Sequence, residues 1–472
     1  MKRTVNATLS FPFKAARQLV WSLHARPLRV VARQVLISAP LLTLATSLYA
    51  QQPLPLDEAR SRGLVLFQQS AVTGMVLVVV RGREAMIESY GETYPGSGQK
   101  PDANSLIRLC SVTKVFAGDL LVRLAAEGKV KLNDPLQRYA PTGKVVPQAM
   151  SGEQITLLAL ATHTAGLPRE VAAYPANTPH FTFPDFAARW AWLPRQKLIF
   201  PPGTAALYSN VGFDLLGDAL ASASAKSYAH LLHTTLLEPL GMWDTTLFPS
   251  NSQCARLLRP TSDQGLCTET QASGASGGLY STDADMVKLL QYLLRIPTSP
   301  IQPAGALDLY LRPQQLKSMQ GLSHAGDATG IGLGWVQIGA PDSPSAIMEK
   351  TGSGAGFTTY LALSPQRQTG IFVAVTDGHG EAQVDLFHES NNLLAALANV
   401  SPLPPKVRPT PAPKHHPKRH RAVQSPQHAS SLPFTPPQPN LKHGGDPERM
   451  LPVIWQQPLR HAVARELRAQ FR

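Results

Sequence analysis

Ser111-Val112-Thr113-Lys114 sets a hydroxyl and an amine three residues apart. On a helix, residues i and i+3 share a face, so the Lys114 amine reaches the Ser111 hydroxyl and can activate it as a nucleophile. A helix start adds a positive dipole end and free N–H groups where an oxyanion would form. Average residue usage gives about one or two chance matches to Ser-x-x-Lys in a chain this long, and a second one, Ser97-Gly98-Gln99-Lys100, is present. That copy lies among Pro95, Gly96, Gly98 and Pro101, where no helix can align the two side chains. Ser111 is the candidate nucleophile.

Two further groups complete a constellation. Tyr208-Ser209-Asn210 follows the turn Pro201-Pro202-Gly203 and precedes a helical pattern. A tyrosine beside two lysine ammoniums is expected to titrate below its usual value of roughly 10 and to serve as a base, while the Asn210 amide can hold a substrate amide. Lys350-Thr351-Gly352-Ser353 ends a predicted strand. A cation and a hydroxyl there suit a substrate carboxylate, and Gly352 would let substrate approach the backbone. The Ser353 and Ser111 N–H groups would form an oxyanion hole. Alone, Tyr208 also fits a ring beside a helix cap, and Lys350 an exposed lysine in a β-turn. The ordered set decides for catalysis.

Elements able to position these residues are readable. Met75–Val80 and Glu84–Tyr90 flank Gly82 as a hairpin. A helix runs from Ser111 to Glu127 and stops at Gly128. The middle, about 115–290, is mostly helical, with apolar spacing over Phe213–Ala223 and Ala229–Leu240, and Thr282 with Asp285 caps a helix through Leu294. Strands return at Leu333–Ile338, Ala346–Thr351, Phe357–Leu363 and Thr369–Val375, followed by a helix over Leu386–Ala398. The expected fold class is α/β (α+β): an antiparallel sheet flanked by helices, built from both chain ends, with an inserted helical lobe. Residues 51–400 exceed what one core usually holds, so two lobes are expected.

The formal charge of +13 is concentrated at the ends, with +7 in residues 1–50 and +9 in 401–472, leaving the middle near neutral. No basic stripe or motif supports nucleic-acid binding. Residues 1–50, with a basic leader and an apolar run from Val35 to Ala50, read as a signal peptide or N-terminal anchor. Export would place the protein in the periplasm, where Cys254 and Cys267 suit a disulfide and Cys110 is left as a small buried residue. Residues 401–472 hold 15 of the 42 prolines and six of the 14 histidines. Such a segment buries too little to offset its ordering entropy and reads as a disordered basic tail, able to touch membrane or wall polymer. The cluster His415 to His420 suits a solvated tail better than a metal site.

The three motifs together resemble those of class C β-lactamases and related low-molecular-mass penicillin-binding proteins. Within that group the chain is most similar to the AmpH-type D-alanyl-D-alanine carboxypeptidases/endopeptidases. The resemblance extends to Asn133–Leu136, Leu160–Glu170, Tyr208–Leu220, Pro239–Met242 and Ser276–Thr282, about residues 70–400, and the Cys254/Cys267 pair fits it. It implies a β-lactamase/transpeptidase-like fold and an acyl-enzyme at Ser111, with peptidoglycan peptides and β-lactams as partners. Lys114 and Tyr208 would share the base work, with Tyr208 activating water. Lys350 and Thr351 would hold the terminal carboxylate, and Asn210 would orient the acyl amide. Glu170 would face substrate or form a structural ion pair, and His163 would be structural. No metal or organic cofactor is implied. A β-lactamase, a carboxylesterase and a non-catalytic penicillin sensor are the competing readings; the intact Ser111, Lys114 and Tyr208 weigh against the last.

Overall fold

The computed structural model describes residues 53–404, apart from 172–174, 176, 262–264, 266, 312 and 379–380. The expected export segment (1–50) and the tail beyond 404 lie outside the described residues.

Helix α1 (Leu56–Gln69) opens the described chain. Its buried residues, Ala59, Gly63 and Leu66, fall on one face. The hairpin forms as expected from β1 (Val72–Arg81) and β2 (Glu84–Gly91), turning at Gly82 with φ 54°. The central region contributes α2 (Lys114–Ala126), α3 (Asn210–Ser224) and α4 (Asp283–Leu293). Thr282 caps α4 by accepting from the Asp285 N–H. The helix expected over Ala229–Leu240 is interrupted by a π turn at His233–Leu237. Pro239 follows there, with no N–H for the carbonyl four residues back.

The chain then lays down β3 (Tyr310–Leu311), β4 (Ala328–Gly332), β5 (Val336–Ile338), β6 (Ile347–Gly354), β7 (Phe357–Ser364) and β8 (Thr369–Asp377), and closes with α5 (Leu386–Ala398). The eight strands form one sheet in the order β2-β1-β8-β7-β6-β5-β4-β3, every pair antiparallel. The first hairpin therefore joins the sheet through the last strand, which is the assembly from both chain ends that the sequence implied. The strand expected over Leu333–Ile338 is shorter because Gly334 turns the chain with φ 82°. The glycine-containing β4 before it hides from a period-two reading.

Alternation along β1 divides the interior. Val76, Val78 and Val80 join a core shared with α2, α3 and α4, whereas Met75, Leu77 and Val79 join a second core with α1 and α5. The interior is thus divided into two cores on opposite faces of one sheet, and the inserted helical lobe is continuous with one of them. Cys254 and Cys267 are joined with Cα atoms 5.7 Å apart, and Cys110 is free and buried.

Helix α2 lies unusually close to the strand-forming half. A Cβ added at Gly118 would meet the Leu333 carbonyl oxygen at 2.0 Å, and one at Gly334 would meet the Lys114 carbonyl oxygen at 2.6 Å. Gly118→Ala must push the helix off that backbone. Overpacking of this kind costs about 1–3 kcal/mol, so thermal unfolding should show a clearly lower Tm. An unchanged Tm would show that the contact is not a constraint.

Candidate active site

The turn Cys110–Thr113 is a single 3₁₀ turn that runs directly into α2, so Ser111 precedes the α-helix proper. Cys110 has φ 50°, a left-handed conformation that bends the chain just before the nucleophile. Both sides of the turn are fastened. Thr359 Oγ1 of β7 donates to the Leu109 carbonyl at 2.9 Å, the Leu109 N–H donates to Leu279 O at 2.8 Å, and the Leu279 N–H donates to Thr113 Oγ1 at 3.2 Å. Gly352 is pressed against the same turn: a Cβ there would sit 2.9 Å from both Leu109 O and Ser111 N. The expectation that Gly352 admits substrate is therefore corrected. Its missing side chain admits the backbone of the nucleophile.

Ser111, Lys114 and Tyr208 meet. Tyr208 Oη donates to Ser111 Oγ at 2.6 Å, and Lys114 Nζ lies 3.3 Å from the same oxygen. Lys114 Nζ also donates to Asn210 Oδ1 at 2.6 Å and to the Ser276 carbonyl at 2.5 Å. Lys350 sits 5.3 Å and Lys114 4.8 Å from the Tyr208 ring centre, with Arg169 at 4.7 Å. Lys114 and Lys350 are 0% and 1% exposed, so neither ammonium can be solvated by bulk water.

Burial sets the protonation pattern. Desolvation, assisted by the Lys350 charge, holds Lys114 well below the ordinary ammonium range. Lys350 is lowered less, to about 8, by burial and Arg169 against the opposing charge of Glu349. Tyr208 moves the other way from the sequence expectation. Burial pushes its phenol above the usual value, outweighing the hydrogen bond to Ser111 and the Arg169 charge. Burial therefore favours a neutral amine beside a protonated phenol. A neutral amine has two hydrogens, and Asn210 and Ser276 take both, which leaves the lone pair for the Ser111 proton.

The remaining candidates are distributed around this centre. Thr351 and Ser353 line a cavity of about 260 Å³ with Ser111, Arg169, Tyr208 and Lys350. A second cavity, of about 360 Å³, opens on the other side of Ser111 and is bordered by Glu170, Asn210 and Ser276. Asn210 starts α3 and is tied down at both ends of its amide, by Lys114 and by a short hydrogen bond to Glu170. Its first task is to hold the lysine. Glu170 also lies 3.9 Å from Arg169, in an ion pair. His163 is buried, accepts from the Ser209 N–H at 3.0 Å and stacks on Tyr208 at 4.5 Å between ring centres. Burial keeps it neutral, as suits a structural residue. Burial also pushes the Cys110 thiol up to about 12. At the other Ser-x-x-Lys, the Ser97 hydroxyl engages Thr93 and Gln99 within a turn, and Lys100 lies 6.0 Å from the Tyr90 ring centre. Sequence reasoning missed Arg169 and the carbonyl of Ser276. Arg169 stood beside Glu170 within a segment already marked, but a carbonyl leaves no side-chain signal.

A serine hydroxyl held between a buried lysine and a tyrosine is the arrangement of a serine hydrolase active site. The chain belongs to the beta-lactamase family, whose model matches residues 59–393. The D-alanyl-D-alanine-carboxypeptidase/endopeptidase AmpH of Escherichia coli is 40% identical over 390 residues, which is 79% of this chain and 98% of that protein. A beta-lactamase of the same organism is 24% identical over 76% of this chain and 98% of its own length. Among solved structures, a beta-lactamase/D-alanine carboxypeptidase from Yersinia pestis matches with TM-score 0.68 and 40% identity, covering 73% of this chain and 99% of that one. A class C beta-lactamase matches with TM-score 0.58 at 20% identity, over 72% and 94% of the two chains, a likeness of fold.

Proposed function

We propose that the protein is a serine D-alanyl-D-alanine carboxypeptidase/endopeptidase that acts on peptidoglycan peptides through an acyl-enzyme at Ser111 and binds penicillins in the same cleft. The three-way contact of Ser111, Lys114 and Tyr208 beside the Lys350–Thr351 cavity supports this most directly. The much higher identity to the peptidase than to the beta-lactamase favours peptide over β-lactam turnover. We further infer export to the periplasm through residues 1–50, with the basic tail touching wall polymer or the inner membrane.

The chemistry follows from the resting protonation. Ser111 Oγ attacks the D-alanyl carbonyl carbon while its proton passes to neutral Lys114. The N–H groups of Ser111 and Ser353 face the oxyanion. Lys350 and Thr351 hold the terminal carboxylate of the leaving residue. When the C–N bond breaks, the leaving amine takes the proton of Tyr208. The phenolate so formed lies against the Lys114 ammonium and is the base for the hydrolytic water. Water gives a proton to Tyr208 and attacks the ester, and Ser111 Oγ departs with the proton from Lys114. Tyr208 thus acts as the base in deacylation without a lowered resting pKa.

A fluorescent penicillin should label the protein covalently, Ser111→Ala should abolish labelling, and Ser97→Ala should leave it intact. The wild type should also release D-alanine from a pentapeptide and split a cross-linked muropeptide dimer. Labelling that survives Ser111→Ala would overturn the assignment.

Tyr208→Phe keeps the ring and its packing and removes only the hydroxyl. Loss of a general base costs roughly a hundredfold to ten-thousandfold, so the acyl-enzyme formed from a D-Ala-D-Ala ester should accumulate and appear by intact-mass spectrometry. Turnover at the wild-type rate would assign the water to another base.

Lys350 binds the carboxylate only as an ammonium, and its charge is lost as pH rises through about 8. The kcat/KM for a peptide ending in D-alanine should therefore fall above that pH, whereas an ester lacking the terminal carboxylate should keep its rate. Parallel profiles for the two substrates would remove Lys350 from carboxylate recognition.

A further inference from the structure

One buried carboxylate near the centre takes no part in the chemistry above. Asp214 lies one turn along α3 from Asn210, on the same face, and is 3% exposed. Both of its oxygens accept hydrogen bonds from Ser276, Oδ1 from the N–H at 3.1 Å and Oδ2 from the hydroxyl at 2.9 Å. Ser276 in turn presents its carbonyl to Lys114 Nζ at 2.5 Å. The Ser273 carbonyl also accepts from the N–H groups of Ser276, Gly277 and Gly278 at 3.2, 2.9 and 2.8 Å, so Asp214 is the side chain that fastens this turn at Ser276. The neighbouring cation Arg189 is held by another acid, since its Nε and Nη2 donate to the two oxygens of Asp218 at 2.6 and 2.7 Å.

We propose that Asp214 is a positioning residue for acylation, acting through Ser276 to hold the Lys114 amine against Ser111; this rests on the serine-hydrolase reading. Successive turns of α3 would then serve the same amine twice, Asn210 directly and Asp214 through the Ser276 backbone. The negative charge of Asp214 also bears on the proton affinity of Lys114, as do Glu170 in the same sense and Lys350 and Arg169 in the opposite one. Facing Asp214 itself are Arg189, Lys114, Asp218 and the phenol of Tyr228. Its carboxyl is raised to about 7, first by burial, so its charge changes within the working range of such an enzyme.

The test is the rate of acylation by fluorescent penicillin across pH, with kcat and KM for a D-Ala-D-Ala peptide and the Tm of each variant. Asp214→Asn keeps the shape and removes the charge. Lys114 then loses support for its ammonium and stays neutral to lower pH, so the rising limb of the acylation profile should move to lower pH. Asp214→Ala leaves Ser276 held only by its longer contacts to the Ser273 carbonyl, and misplacement of the amine should slow acylation by about tenfold to a hundredfold at the optimum, in kcat with KM little changed. Ser276→Ala removes one of the two hydrogen bonds to the carboxylate and should move both readouts the same way by less. It decides the matter if the Asp214 variants fail to fold. Unchanged limb and rate in the folded variants would overturn the positioning role, as would a raised KM at constant kcat, which would mean that Asp214 touches substrate instead. Failure of the wild type to label at Ser111 would take down the functional reading and this proposal together.

Discussion

An amine can take a proton from a serine only while it is itself unprotonated, and enclosing Lys114 completely favours that state. Burying an ammonium costs several kcal/mol, and among the charges acting on Lys114 the largest influence is another lysine, Lys350, whose repulsion opposes the support of Asp214 and Glu170. Burial and repulsion both favour the neutral form. Once the amine is neutral, its two hydrogens must find acceptors, because a buried polar group without a partner is itself costly. Asn210 and the Ser276 carbonyl supply them. The partners thus do more than decorate the site: they spend both hydrogens and so aim the lone pair.

That requirement explains why the site is assembled from segments so distant in sequence. Lys114 opens α2, Asn210 opens α3, Ser276 precedes α4 and Lys350 lies on β6. They meet only if the helical insertion docks tightly on the sheet, and contacts that lack a Cβ allow it. Gly118 meets the backbone at Leu333, Gly334 meets the carbonyl of Lys114, and Gly352 meets the turn carrying Ser111. Each approach is too short for any side chain. The position of the lysine is therefore set by backbone against backbone, which yields less than side-chain packing does when neighbouring residues change rotamer.

What was legible in the sequence follows the same physics. The strands β6 to β8 and the closing helix α5 were found because their apolar periods are long and uninterrupted. Ser111, Lys114, Tyr208 and Lys350, which the structure brings together, stood out because side chains with distinctive chemistry fall in short ordered motifs. β4 was missed because its glycines break the alternation. The direction of the Tyr208 shift was missed because spacing locates charges but not burial, and desolvation is the larger influence. Asp214 left a faint trace, one turn from Asn210, whose meaning appears only when Ser276 is brought against it from 62 residues away.

The two lysines show how finely burial and charge must be combined. Both are enclosed, yet the proposed reaction needs one empty and the other carrying its proton. Desolvation alone would treat them alike. Glu349, next to Lys350 on the strand, supports its charge, and the charge on Lys350 in turn lowers Lys114. The raised phenol of Tyr208 completes the separation, since a phenol reluctant to ionise cannot give its proton to Lys114 at rest. If amine and phenol titrated close together, the site would be divided among protonation states, and only the competent fraction would react. Moving their affinities apart in opposite directions favours one arrangement, with the proton on Tyr208 and a vacancy on Lys114, as the proposed acylation requires.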